Sequence, residues 1–202
     1  MKPACHLYNV DPTASFTHGP TTLAYRSYGH GPVQVLAFHG FGRTGADFAL
    51  FEPLLAERCT IHAFDLHFHG ESSTPGERAH EPFTPAELAA YFAAFADHLG
   101  AKQVTLLGYS LGGRIALSLL TTMPERLSSL VLVAPDGLKT RPWYRGLAAS
   151  RFGRHLYGRF VEDPRRAHAI MNTLHRVGLM RAKLHRFLIG QTDSRPKRQQ
   201  VH

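Results

Sequence analysis

Five residues, Gly108-Tyr109-Ser110-Leu111-Gly112, constrain this chain more than any other stretch. They follow a short apolar run, Val104-Thr105-Leu106-Leu107, and open a helical stretch over residues 111–122 that Pro124 stops. A strand that reverses directly into a helix leaves no room for side chains beside the apex, so glycines at 108 and 112 are what the turn needs. Such a turn lifts the Ser110 hydroxyl above the end of a sheet, where a nucleophile stands exposed. The helix beginning there aims its first N–H groups at the same point, and the Leu111 N–H is placed to bind an oxyanion.

The rest of the chain supplies the sheet. Residues 4–10, 20–28, 33–38, 60–64, 104–107 and 130–134 read as strands, with a Pro/Gly/Thr-rich turn between the first two. Val33-Gln34-Val35-Leu36-Ala37-Phe38 is apolar at five of six positions, the pattern of a strand buried on both faces. Phe48, Phe51, Leu54 and Leu55 predict a helix over 46–57 that Pro53 kinks or restarts. Residues 66–83 read as loop. Thr84-Pro85-Ala86-Glu87 is a capping-box start for a helix ending at Leu99-Gly100. Buried strands alternating with helices predict an α/β fold, a mostly parallel sheet with helices on both faces.

Composition changes near Lys139. Residues 1–138 carry 8 basic and 12 acidic side chains, and residues 139–202 carry 15 and 3, a swing from −4 to +12. This predicts a unit boundary there, with 139–202 a basic helical region. Ala167, Ile170, Met171, Leu174 and Val177 form one stripe after Asp163-Pro164, with a break at Gly178. Leu179, Met180, Leu184, Phe187 and Leu188 form a second, ended by Gly190, before a patternless tail from Gln191. The favoured reading of the charge is a solvated helical face, with an anionic membrane or nucleic acid as the alternative partner. No apolar run is long enough for a membrane span, no secretory leader is evident, and Cys5 and Cys59 make no disulfide framework. The expected compartment is the cytoplasm. No dinucleotide fingerprint or Walker loop occurs, so no cofactor is expected.

Phe38-His39-Gly40-Phe41-Gly42 ends another buried strand. Its glycines let the backbone pass close to the elbow, which makes the Phe41 N–H a second oxyanion donor. His39 is expected to hold this loop by hydrogen bonding rather than to act as a base. With the Ser110 elbow, the segment Asp65-Leu66-His67-Phe68-His69-Gly70-Glu71-Ser72, and Leu132-Val133-Ala134-Pro135, the chain resembles the α/β-hydrolase superfamily. The branch it resembles inserts a helical cap after the sixth strand. His67 and Phe68 stand where the family has Pro and Gly, an expected change in that loop's shape. The same alignment accounts for His69, so His67, His69 and Glu71 are not expected to bind a metal.

The resemblance implies a serine hydrolase of an ester or related acyl substrate, a small molecule, with Ser110 as nucleophile and Phe41 and Leu111 N–H groups as oxyanion hole. His39, Gly40, Gly108 and Gly112 would support the loops. Serine at the elbow argues against epoxide hydrolase or haloalkane dehalogenase chemistry, where relatives use Asp. The family's acid usually follows a seventh strand and its histidine an eighth. Neither position is matched here, so the chain reads as C-terminally truncated: a core lacking its last strands over 1–138 and an incomplete cap over 139–202. Asp136, after the sixth strand, is the candidate acid, with a plain turn role as the alternative. His155, His168, His175 and His185 fall on cap helices, where Trp143, Tyr144, Phe152, Met171 and Phe187 would line an apolar pocket. The competing expectation is a non-catalytic fragment or binding protein that keeps the fold, its sixth strand an open edge that a homodimer could cover.

Overall fold

The computed structural model describes residues 13–72, 83–136 and 150–193. The chain divides into two compact units, Met1–Leu138 and Lys139–His202.

In the first unit the strands are β1 (Ala14–His18), β2 (Thr21–Tyr28), β3 (Val33–Phe38), β4 (Cys59–Phe64), β5 (Val104–Tyr109) and β6 (Leu127–Val133). They form one sheet in the order β1-β2-β4-β3-β5-β6. β1 and β2 pair antiparallel, as do β2 and β4, while β4, β3, β5 and β6 run parallel. The chain leaves β3 to one side for β4 and returns to the other side for β5. The loops after β3 and β5 therefore diverge, and a crevice opens between them at the carboxyl ends of the strands.

Helices α2 (Pro85–His98) and α3 (Leu111–Thr122) cover one face. Their Phe92, Phe95, Ala116 and Leu119 pack with Leu36, Phe38, Phe64 and Leu106 of the sheet. The capping box of α2 is formed: Thr84 Oγ1 accepts the Glu87 N–H, and Glu87 Oε2 accepts the Thr84 N–H. On the other face, a 3₁₀ segment (Gly45–Phe51) runs into the single turn α1 (Glu52–Leu55). Phe48 there seals Tyr28, Val35, Ala37, Ile61 and Ala63. The helix expected over 46–57 is thus two pieces, and Pro53 sits in the first turn of the second, where its missing N–H costs nothing. That cover stops short of β6. Leu130 and Leu132 face the packed side, whereas Val131 and Val133 remain 48% and 45% exposed. Among the described residues β6 has no outer neighbour.

Ala14–His18, expected as turn, is a strand. Only Phe16 of it faces inward, edge-on to Tyr91 and Phe95, and Gly19 at φ 58° closes the hairpin with β2. One inward residue left no periodicity to detect. The strand expected over 4–10, with Cys5, lies outside the described residues, as do 73–82, Trp143, Tyr144 and the tail from 194. Cys59 is a half-buried free thiol.

The second unit contains α4 (Arg151–Glu162), α5 (Arg165–Arg176) and α6 (Ala182–Thr192). Ser150 Oγ caps α4 by accepting the Gly153 N–H. α5 and α6 form a hairpin through Gly178 at φ 75°. His168 Nε2 donates to Thr192 Oγ1 at 2.9 Å, His185 Nε2 donates to Asn172 Oδ1 at 2.7 Å, and the His175 and His185 rings stack 4.5 Å apart. Gly190 lies inside α6 rather than ending it, because its φ is not positive and the helical bonds continue past it. Phe152 and Phe187 are exposed and Met171 is half-buried. Among the described residues no helix is long and apolar enough to cross a membrane.

Candidate active site

The turn from β5 into α3 is held in a conformation that a free peptide avoids. Ser110 has φ 51° and ψ −112°, a sparsely populated region for a residue with a side chain, costing on the order of 1–3 kcal/mol. Four backbone hydrogen bonds offset that cost. The Ser110 N–H donates to the Val133 carbonyl at 3.0 Å, and the Ser110 carbonyl accepts from Gly113 and Asp136 at 2.9 Å each. The Gly112 N–H donates to the His39 carbonyl at 3.0 Å, which ties α3 to the loop after β3. A side chain at Gly112 would collide with the Phe38 carbonyl, and one at Gly108 would meet Gly112 O at 2.7 Å.

The loop after β3 approaches from the other side of the crevice. A methyl group on Gly40 would lie 2.8 Å from a Tyr109 ring carbon and 3.3 Å from Ser110 Cβ. Residues 40–42 therefore run directly against the elbow. Among the described residues the N–H groups of Phe41 and Leu111 donate to no protein acceptor. Leu111 is the first residue of α3, where such a group has no intrahelical partner.

Two neutral histidines fix this loop. His39, fully buried, donates from Nδ1 to the Gly40 carbonyl at 2.7 Å and accepts the Leu66 N–H on Nε2 at 3.0 Å. His69 donates from Nδ1 to the His67 carbonyl at 2.8 Å and accepts the Gly42 N–H on Nε2 at 3.0 Å. Each ring is locked in one neutral tautomer by two backbone partners. Burial pushes the His39 pKa down to about 4, and burial likewise lowers that of His69. Neither ring has a nitrogen left for the Ser110 hydroxyl.

Beneath them Asp65, with no exposed surface, accepts the Gly45 N–H at 2.7 Å and the Glu71 N–H at 2.8 Å. Arg26 of β2 approaches both of its oxygens at 3.3 Å and reaches Glu71 Oε1 at 2.7 Å. Ser72 Oγ donates to the Asp65 carbonyl and accepts the Ala24 N–H. The loop 65–72 and the loop 40–45 are thus braced on one carboxylate. Phe68 takes φ 61°, a left-handed turn that a glycine would adopt more cheaply by about 1–2 kcal/mol. Arg26 and Asp65 escaped sequence reasoning as a pair. The available signal was a lone arginine in a strand otherwise buried.

Asp136 contributes its backbone to the elbow and its carboxylate to Arg114, 3.9 Å away, in an exposed pair. His168, His175 and His185 find partners within the second unit, while the His155 side chain is exposed. Within the first unit a cleft of about 480 Å³ opens beside the elbow, between His39, Tyr109 and Val133 on the strand ends and Arg43, Phe48 and Phe51 on the following segment. Ser110 is not among its lining residues. Among the described residues no cluster of His, Cys, Asp or Glu could hold a metal ion.

A family model described as the alpha/beta hydrolase fold matches residues 34–199. The pimeloyl-(acyl-carrier protein) methyl ester esterase of Aeromonas hydrophila is 38% identical over 114 residues, 56% of this chain and 41% of that protein. The (lyso)-N-acylphosphatidylethanolamine lipase of Mus musculus is 36% identical over 104 residues, 52% of this chain and 30% of that protein. The chain spans less than half the length of these curated relatives. Among solved structures, an epoxide hydrolase of Vigna radiata is similar with a TM-score of 0.60 at 22% identity, covering 82% of this chain and 52% of that one. That likeness concerns the fold alone.

Proposed function

We propose that this chain, which belongs to the alpha/beta hydrolase fold family, carries the nucleophile half of a serine hydrolase acting on an ester or related acyl substrate. The observation that carries the reading is the strained Ser110 apex with Gly40 packed against it. Ser110 Oγ attacks the acyl carbonyl carbon, and its proton passes to a base. The carbonyl oxygen becomes an oxyanion between the N–H groups of Phe41 and Leu111. Collapse expels the alcohol, which takes up the proton, and water then releases the acid from the acyl-serine. The names of the two curated relatives, an esterase and a lipase, agree with an acyl ester.

His39 and His69 serve the loops with both nitrogens. We assign the proton transfer to a histidine other than these two. Asp136 stands as the acid this chain itself offers, with Arg114 its present partner. Without a base, Ser110 is a poor nucleophile, and what remains is the oxyanion site, worth about 10³–10⁴ over water in triad-deleted proteases.

Labelling with a fluorophosphonate probe, with Ser110→Ala as control, tests the reading. Slow labelling that the variant abolishes is expected. Absence of labelling in a folded sample would instead favour the second reading, a non-catalytic chain that retains the hydrolase fold.

A further inference from the structure

We propose that the helices of the second unit dock on an anionic lipid surface. The hairpin of α5 and α6 makes its contacts along one line, marked by His168–Thr192 and His185–Asn172. Going round each helix at 3.6 residues per turn, the apolar arc lies on the same side of that line. On α5 it holds Leu174, Ile170 and Val177, and on α6 Leu184 and Phe187. The outer members are open to solvent: Ile170 is 61%, Val177 61% and Phe187 56% exposed. Leu179, in the turn between the helices, is also exposed. Phe152 and Leu156 on α4, one turn apart, add a second exposed apolar pair.

Cations lie round the helices from these residues, Arg166 and Lys183 next to the arc and Arg176 and Arg186 further from it. Arg166, Arg176, Lys183 and Arg186 are exposed and make no ion pair among the described residues. Acidic side chains are few and lie at helix ends: Glu162 and Asp163 at the α4–α5 junction and Asp193 after α6. Asp163 is already taken by Arg165 at 2.8 Å. Helices with one apolar face, an Arg/Lys-rich flank and an otherwise polar surface lie in the plane of a bilayer interface, the apolar face sunk roughly 5–10 Å and the cations on headgroups. Nucleic acid would use the cations and leave Phe187, Leu184 and Ile170 idle in water. An anionic bilayer uses both, and that decides between the two.

Flotation of the whole chain with vesicles tests this. Binding is expected to vesicles of phosphatidylcholine with phosphatidylserine, weakly or not at all to phosphatidylcholine alone, and to fall with added salt. Lys183→Gln with Arg186→Gln should lower partitioning roughly 30-fold. Leu184→Ser with Phe187→Ser should lower it at least about tenfold. All four side chains are exposed, so helix content by circular dichroism should not change. Ser110→Ala should bind as the parent does, which separates this surface from the chemistry proposed for the elbow. Failure to bind acidic vesicles at low salt overturns the proposal. So does DNA binding that exceeds vesicle binding and ignores the Leu184/Phe187 change, or a dimer that the same change converts to monomer.

Discussion

The two units use the same apolar alphabet to opposite ends. In the first, Phe38, Phe64, Phe92, Phe95 and Leu106 are out of contact with water, interlocked between α2, α3 and the sheet. In the second, Phe152, Leu156, Ile170, Leu184 and Phe187 stand on helices yet face solvent. Periodicity decides that a segment coils, but burial needs a second surface of matching shape. The first unit has one for each helix. Among the described residues of the second, α5 and α6 meet along a seam marked by His168–Thr192 and His185–Asn172.

Acid should break the first unit hardest. His39 and His62 are both held neutral, with pKa values pushed by burial to about 4 from about 6.5. His62 is fixed by Ser27 Oγ on Nδ1 at 2.9 Å and Gln34 Oε1 on Nε2 at 2.8 Å. The unfolded chain takes up these protons first, so stability is complete above pH 6.5 and is lost as pH falls from there towards 4, by roughly 3 kcal/mol for each ring. Denaturant midpoints measured across that range check it, and a flat profile contradicts the buried neutral rings.

Phe95→Ala, which empties the middle of the α2 face, should cost about 3–5 kcal/mol by equilibrium unfolding. Arg26→Ala leaves the Asp65 carboxylate buried without its cation, at about 3 kcal/mol, and should loosen loops 40–45 and 65–72 in hydrogen exchange. Thr84→Ala removes the capping box of α2 for about 1 kcal/mol. Phe187→Ala should change stability by less than about 0.5 kcal/mol. A loss as large as that of Phe95→Ala would mean that the second unit buries this ring after all, and would erase the contrast.

Legibility divides instead between local and long-range codes. The Gly108–Gly112 spacing and the Thr84–Glu87 box are local codes, and the backbone answers them where they stand. β1 carries no strand pattern of its own, because its pairing with β2 makes it a strand. The Gly190 stop was misplaced because glycine ends a helix only when its φ turns positive, which no sequence position announces. Asp65 with Arg26, and His69 with Gly42, join residues 39 and 27 positions apart. Nothing local connects them: the antiparallel pairing of β2 with β4 brings Arg26 to Asp65, and the parallel register of β3 and β4 brings the loops of Gly42 and His69 together.

The bonds that hold Ser110 have a consequence for synthesis. Its N–H donates to the carbonyl of Val133, the last residue of β6, and its carbonyl accepts the N–H of Asp136, three residues further on. A nascent chain that has just released Gly112 from the ribosome holds the whole elbow motif but neither of these two partners. The strained apex gains them only after about 24 more residues have emerged and β6 has docked beside β5, so the serine is assembled late, by the strand that closes the sheet's growing side.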